Sequence, residues 1–350
     1  MITMTRTLLI ACAIAAVLGG CKKEEDAPPT NNGGGGSPTN GPGDVYICGS
    51  EDISGQPYAR YWKNGQQVEL NSNGRPSSAR AIWVNGDHVF VAGKVREQGS
   101  VQNQPCYWVD DTMYELDNDA GSSFCSVENL FVVGGDEVHM VGHVRASSGF
   151  NKAMYWGPGS STALTDGSTD AEARGVCVAG GAIYVCGYVT NQAIGGEKIA
   201  TYWLNGTPVS LGDGEDDSEA NDIRVLNGQV IVVGTVRITP DGADDGRDEA
   251  VIWVNGERTV LSPNGGAALA LHISGNDVHV GGIANNGGGG PELPTRWLNG
   301  NSASIGSFEG TILDLSVLNG NVHSVTGDQY INHSNGAFAS YGGMYGIHIY

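Results

Sequence analysis

Basic side chains are scarce: 18 Lys and Arg stand against 38 Asp and Glu in 350 residues, a net charge of −20. Phosphate binding needs basic stripes, so this balance argues against a nucleic-acid partner. The same charge suits a domain held off an anionic membrane surface, and solubility is the plainer account of it. Long apolar runs are missing beyond the first 21 residues, so no later segment is apolar enough to cross a bilayer. Catalytic fingerprints are missing too. There is no G-x-S-x-G, no P-loop and no dinucleotide fingerprint, and the absence of H-x-H and H-E-x-x-H spacings argues against zinc. Cysteine is sparse: after Cys21 there remain Cys48, Cys106, Cys125, Cys177 and Cys186. Five thiols cannot all pair. Cys177 and Cys186 lie on one hairpin with a diagonal offset, and small buried hydrophobes are the preferred reading even for an oxidising compartment.

What the chain does have is one repeated phrase. ATYWLNGTPVSL (200–211) recurs as ARYWKNGQQVEL (59–70), PCYWVDDTMYEL (105–116), AMYWGPGSSTAL (153–164), AVIWVNGERTVL (250–261) and PTRWLNGNSASI (294–305). Its tryptophans, Trp62, Trp108, Trp156, Trp203, Trp253 and Trp297, fall 44 to 50 residues apart. Asn-Gly between two apolar-ended runs signals a hairpin, because a type I′ turn needs two residues with φ > 0. A second hairpin fills the rest of each period, as in ARAIWVNGDHVFVAG (79–93), where Ile82 and Val84 alternate before the turn and Val89 and Val91 after it. The second strand of that hairpin ends in glycine seven times, at Gly49, Gly93, Gly142, Gly187, Gly234, Gly282 and Gly327. Four short strands per period near 47, seven times over, predict an all-β, seven-bladed β-propeller of four-stranded antiparallel blades over 44–350. We call the strands of a blade a to d from the axis outward. One Trp at the same place in each blade is what inter-blade packing requires, although the ring of indoles could also be read as sugar-stacking platforms.

The N-terminal 21 residues read as a targeting segment, with Arg6 as a basic start and Leu8–Leu18 as an apolar core too short to span a bilayer stably. Leu18-Gly19-Gly20-Cys21 resembles a bacterial lipoprotein lipobox. That resemblance implies cleavage before Cys21, acylation of its thiol (palmitate) and amino group, and a membrane partner reached through the lipid anchor. An ordinary secretory signal is the alternative. Residues 22–43, rich in Gly, Pro, Asn and Thr, predict a flexible tether with a reach of roughly 25 Å. Lys22-Lys23-Glu24-Glu25-Asp26 resembles export signals that send lipoproteins to the outer face of the outer membrane, and a solubilising charge cluster explains it as well. The expected address is the cell envelope, as an outer-membrane lipoprotein displayed at the surface or facing the periplasm.

VYICG (45–49) is a b strand with no a strand before it. MYGIHIY (344–350) offers the missing inner strand, with Ile347 and Ile349 matching Ile82 and Val84. His333-Ser334-Asn335-Gly336 is then the degenerate last Tyr-Trp-x-Asn-Gly. A rival register makes MYGIHIY an outer strand and leaves 27 strands. Closure by both termini, with 28, is preferred.

The variable b–c and d–a loops share one rim, where function usually lives. That rim is acidic: Asp213, Asp216 and Asp217 sit in one loop and Asp241, Asp244 and Asp245 in another. DGADDGRDE (241–249) loosely resembles a calcium loop. Ala243 at a ligand position and the missing twelfth Glu exclude an EF-hand, leaving Asp241, Asp244 and Asp245 as a looser oxygen site for calcium. The a-strand residues that alternate with the aliphatic pair should line the axial channel, among them Asp222, Arg224, His272, Asp314 and His348. Two carboxylates facing a cleft could run glycoside chemistry at the right separation; polar residues around a water-filled hole are the plainer reading.

The pattern AxYWxNGxxxxL…AxxIxVxGxxVxVxG resembles the extracellular HAF-type repeat and the YWKNG repeats of propeller lipoproteins, over about 45–350. It departs from the former in having Tyr where Phe is usual and no His before the Ala. The resemblance implies a propeller and an envelope location and supplies no activity. The expected function is a non-catalytic binding or scaffolding propeller with a protein or glycan partner at the acidic loop rim. The alternative is a polysaccharide-active enzyme using channel carboxylates such as Asp222 and Asp314.

Overall fold

The computed structural model describes residues 41–350 apart from 42, 101, 119–123, 192–195, 213, 215, 240–245, 286–290, 306–309, 335–336 and 342. Twenty-eight strands form seven four-stranded antiparallel sheets, each a meander, and there is no helix among the described residues. The chain is a seven-bladed β-propeller. Blade 1 is assembled from both ends of the chain. Met344–Ile349 lies innermost, followed outward by Val45–Ile53, Gln56–Lys63 and Gln66–Glu69. Ile47 stands opposite Ile347 and Val45 opposite Ile349. This is the closing register, and the 27-strand alternative is ruled out.

Asparagine serves the c–d turns in two ways. Asn64, Asn205, Asn255 and Asn299 all have φ near +50°, each followed by a glycine near +80 to +90°, the backbone a type I′ turn demands. The Oδ1 of the same residue accepts the N–H that opens strand b, from Val45, Ile183, Val230 and Val278 respectively, each at 2.9 Å. Blade 7 shows why its repeat is hard to read. Ile331 faces Ser324 as Trp297 faces Val280 in blade 6, and the His333 N–H donates to Val322 O as that of Asn299 donates to Val278 O. The motif equivalent is therefore Tyr330–His333, not His333–Gly336, with Ile331 in the tryptophan place.

The six tryptophans of the repeated motif are buried, none more than 3 % exposed. The indole N–H of Trp108 donates to Asn71 O, that of Trp156 to Asp117 O and that of Trp297 to Leu261 O. Each acceptor lies at the end of the preceding blade's outermost strand, so these indoles fasten one blade to the one before it, a packing and bonding role for the Trp ring. All five described cysteines are buried free thiols. Cys177 stands opposite Tyr184 and Cys186 opposite Gly175, which is the diagonal offset that keeps them apart. Two of the b-strand histidines pack: His139 bonds the Tyr155 hydroxyl at 2.7 Å and His279 is 5 % exposed.

The b-strand glycine of blades 1 to 6 has a single cause; Gly327 differs, lying beyond the end of its strand at φ 63°. The register between strands a and b shifts by one residue in blades 1 to 6, a β-bulge at Tyr345, Arg80, Glu128, Arg174, Asn221 and Leu269 in turn. The bulge drives an a-strand carbonyl against the facing residue of strand b. A Cβ on Gly93 would lie 1.9 Å from Ser78 O, on Gly142 2.0 Å from Ser126 O, and on Gly187 1.8 Å from Glu172 O. No side chain fits there, and the neighbour is backbone that cannot swing aside.

Gly93→Ala should therefore cost about 3 kcal/mol or more in urea unfolding, the size of effect reserved for a named steric conflict. Gly135→Ala, where an added Cβ meets nothing within 4 Å, should stay within about 0.5 kcal/mol. Equal effects at the two positions would refute this reading of the bulge.

Candidate functional site

The bulges also re-aim one side chain per blade. Tyr345, Arg80, Glu128, Arg174, Asn221 and Leu269, with Leu313 at the matching place in blade 7, gather around a cavity of about 190 Å³. Strand a runs from the d–a loop to the a–b turn, and the bulge lies in its first half, so this is the mouth of the axial channel on the loop rim. A groove of about 330 Å³ shares Arg174, Asn221 and Leu269 with the mouth and runs out over blade 5 to Arg237 and Asp248.

The mouth has two unlike arcs. Over blades 2 to 5 it is a chain of alternating charge. Arg80 pairs with Glu128 at 3.0 Å, and His143 lies between Glu128 and Glu172, 4.0 and 3.8 Å from their carboxylates. Arg174 then bridges Glu172 at 3.3 Å and Glu219 at 2.5 Å, and Lys198 also pairs with Glu219. Arg174 and Lys198 both stand over the Tyr188 ring. Asn221 accepts from Arg174 and donates to Ala268 O of blade 6. Burial pushes the carboxyls of Glu128 and Glu219 up, but their neighbours, Arg80 foremost at one and Arg174 at the other, together outweigh it and hold both below the usual range. Burial works against the Arg174 charge as well; Glu219 and Glu172 outweigh it and raise its pKa. Glu128, Glu219 and Arg174 are thus held ionised, each carboxylate compensated by an arginine. Across the mouth, Leu269, Leu313 and Tyr345 make the apolar arc, with the Arg80 guanidinium 4.7 Å over the Tyr345 ring.

Deeper in the channel, toward the tight-turn face, lies a cavity of about 200 Å³. Trp83 packs on Phe131 and on His348 with ring centroids 4.7 Å away in each case. Arg224, His272 and Asp314 share the same lining. Asp222 is 4 % exposed and adjoins this cavity through Arg224, which donates to its Oδ1 at 2.6 Å. Its oxygens also accept from Ile223 N–H of its own strand and Leu271 N–H of blade 6. Asp314 repeats the arrangement at the next-but-one blade, accepting from its neighbour Leu315 N–H and from Ile347 N–H of blade 1. Burial raises both carboxyls, Asp314 to about 7. Burial lowers His272 to about 3, with Arg224 adding to the effect, and lowers His348 to about 4.

The structure thus brings the five channel candidates, Asp222, Arg224, His272, Asp314 and His348, into one place, and makes the two carboxylates clamps between blades. Of the rim acids, Asp216 lines a small pocket with Arg258, and the Asp217 carboxylate accepts from Lys198 N–H at 2.5 Å. Asp248 pairs with Arg237 and Glu249 with Arg247. Charge compensation, not a bare acidic field, is the rule among the described rim residues. Asp213, the calcium candidates Asp241, Asp244 and Asp245, and Cys21 lie outside the described residues. Among the described residues no group of three His, Cys, Asp or Glu could hold a metal ion. The bulge ring itself was missed from sequence. Its signal is the phase break in strand a, where alternation fails between Ala79 and Ile82.

No family model and no curated protein sequence matches the chain. Among solved structures it is similar to a Mycobacterium tuberculosis puromycin-hydrolyzing peptidase, with a TM-score of 0.52 and 12 % identity over 87 % of this chain and 52 % of that one. It is also similar to Pyrococcus horikoshii acylaminoacyl peptidase, with a TM-score of 0.47 and 9 % identity over 75 % and 46 %. Extracellular domains 1-2 of Drosophila Semaphorin 1b give 0.42 and 6 % over 83 % and 86 %. The chain spans about half the length of the peptidases it resembles. The first likeness is one of fold; the other two are too slight to bear on this chain.

Asp314 makes a pH test available. The folded ring holds its proton up to about pH 7, whereas an unperturbed carboxyl releases it near 3.8. The folded state binds more protons in that window, so this group makes stability fall as pH rises from about 4 to about 7. Asp314→Asn cannot ionise and leaves one of two amide N–H groups unbonded. It should cost about 1–3 kcal/mol in urea unfolding at pH 4.5 and lose less, relative to the parent, at pH 7.5. A difference that does not change with pH would mean that Asp314 is ionised throughout.

Proposed function

We propose that this chain is a non-catalytic binding or scaffolding propeller, tethered to the cell envelope through Cys21, that receives a protein or glycan partner at the channel mouth and groove of its loop rim. The observation that carries this reading is the ring of bulge side chains. A ring closed at both ends holds seven side chains of unlike chemistry around one preformed mouth, each at the same place in its blade. Preorganised concave sites with an apolar part and a few fixed polar groups are what ligands bind. The internally paired charges of Arg80, Glu128, Arg174 and Glu219 favour a partner with both apolar surface and hydrogen-bonding groups over a highly charged one.

The enzyme alternative draws less support. The oxygens of Asp222 and Asp314 are bonded to backbone N–H groups of two blades each, and a carboxylate so engaged is poorly placed to take or give a proton at a substrate.

Cross-linking on intact cells, followed by identification of what co-purifies, tests the proposal. The double variant Leu269→Glu and Leu313→Glu puts two charges on the apolar arc without breaking an ion pair. Capture of the partner should fall roughly tenfold or more, the effect of losing a hot spot, while the melting temperature holds. Capture at the parent level would place the partner elsewhere.

A further inference from the structure

A second cleft lies away from the mouth, between blades 2 and 3 on the tight-turn side, with a volume of about 460 Å³. Two departures from the repeat face each other across it. On blade 2, Tyr114 stands in the outermost strand, Thr112–Glu115, where the equivalent residues are Val68, Thr162, Val209 and Thr259. It is 45 % exposed and stacks on Tyr107, centroids 5.0 Å apart and planes 18° from parallel. On blade 3 the Asn-Gly turn is replaced by Pro158-Gly159, with Gly159 at φ 70°. The floor is the buried, apolar Met140 and Trp156, and the edge carries Glu115, Asp117, Asp136 and Ser160.

From this pairing of departures we propose that the cleft is a carbohydrate-binding site for an uncharged glycan, with the Tyr107–Tyr114 stack as the platform for a sugar ring. A flat, rigid aromatic face offers apolar contact at little entropic cost, and the C–H face of a pyranose is its complement. The edge is rich in acceptors, to which sugar hydroxyls can donate. A proline-rich segment has carbonyls and few N–H groups, so it offers that edge fewer donors. No basic side chain lines the cleft, which disfavours phosphorylated or uronic sugars. Two parallel rings present one face, not the several faces that enclose a cation. Glu115 is held by Arg75 at 2.5 Å, and the Ser161 hydroxyl donates to Asp117 at 3.1 Å, so part of the edge is fixed in advance. This site shares no residue with the loop-rim mouth.

The test is calorimetric titration of the full chain with neutral oligosaccharides of glucose (α- and β-linked), xylose, mannose and N-acetylglucosamine, with oligogalacturonate, a proline-rich peptide and a lysine-rich peptide alongside. At least one neutral oligosaccharide should bind, with an affinity that does not change between 50 and 500 mM salt. Tyr114→Ala should weaken it at least tenfold at an unchanged melting temperature, and Tyr114→Phe, which keeps the ring face, should retain most of it. The Leu269→Glu, Leu313→Glu variant should bind the sugar like the parent, which separates this site from the rim. The proposal is overturned if no neutral oligosaccharide binds, if binding survives Tyr114→Ala, or if the charged sugar or either peptide is the Tyr114-dependent ligand.

Discussion

A strand from the C-terminal end of the chain fills the innermost place in a blade begun near its N-terminal end, and the remaining structure depends on that fit. A propeller blade buries its faces only against its neighbours, so an open ring would leave two blade faces bare. Met344–Ile349 is held on one side by the ladder to Val45–Gly49. On the other, Asp314 and Ser316 of blade 7 accept the N–H groups of Ile347 and Ile349 at 2.9 and 3.2 Å. The Met344 N–H donates to Gly327 O at 2.7 Å, and the Tyr350 N–H to Asp44 O at 3.1 Å. Blade 7 is the least regular of the seven, with Ile331 in place of a tryptophan, and polar clamps from its innermost strand hold the closing strand.

The repeated bulge separates scaffold from surface. The a-strand residues on either side of the bulge, such as Ala79 and Ile82, stay buried and aliphatic or small, and glycine opposite keeps the space free of a Cβ. The bulge residue itself has no packing duty, so it can be Arg, Glu, Asn, Leu or Tyr from blade to blade. The next channel position is different. There Asp222 and Asp314 answer N–H groups of strand a, the innermost strand, which has no further strand beside it, and their raised pKa values reflect burial in that duty.

Much of this was legible in the chain. Asn-Gly turns, the period near 47 and the unpaired VYICG strand lead to the seven blades and to their closure. The alternation around Ile223 and Val225 places Asp222 and Arg224 in the channel. Three things were not legible. The bulge breaks the two-residue period, so counting alternation from Ala79 puts Arg80 on the correct face only by accident. Inter-blade bonds such as Asp314 to Ile347 join residues 33 apart through ring geometry that no local pattern encodes. The pairing of Tyr114 with Pro158 across a cleft is invisible while each is read within its own repeat.

The central claim is a ring closed by 344–349, and hydrogen exchange read residue by residue tests it most directly. The amides of Ile347 and Ile349 should exchange as slowly as those of Val91, Val185 and Val232 in the interior blades, because all open only with the whole ring. Fast exchange at 344–349, with blades 2 to 6 still protected, would mean that the ring stands open at blade 1 and that the mouth is not the preformed site described above.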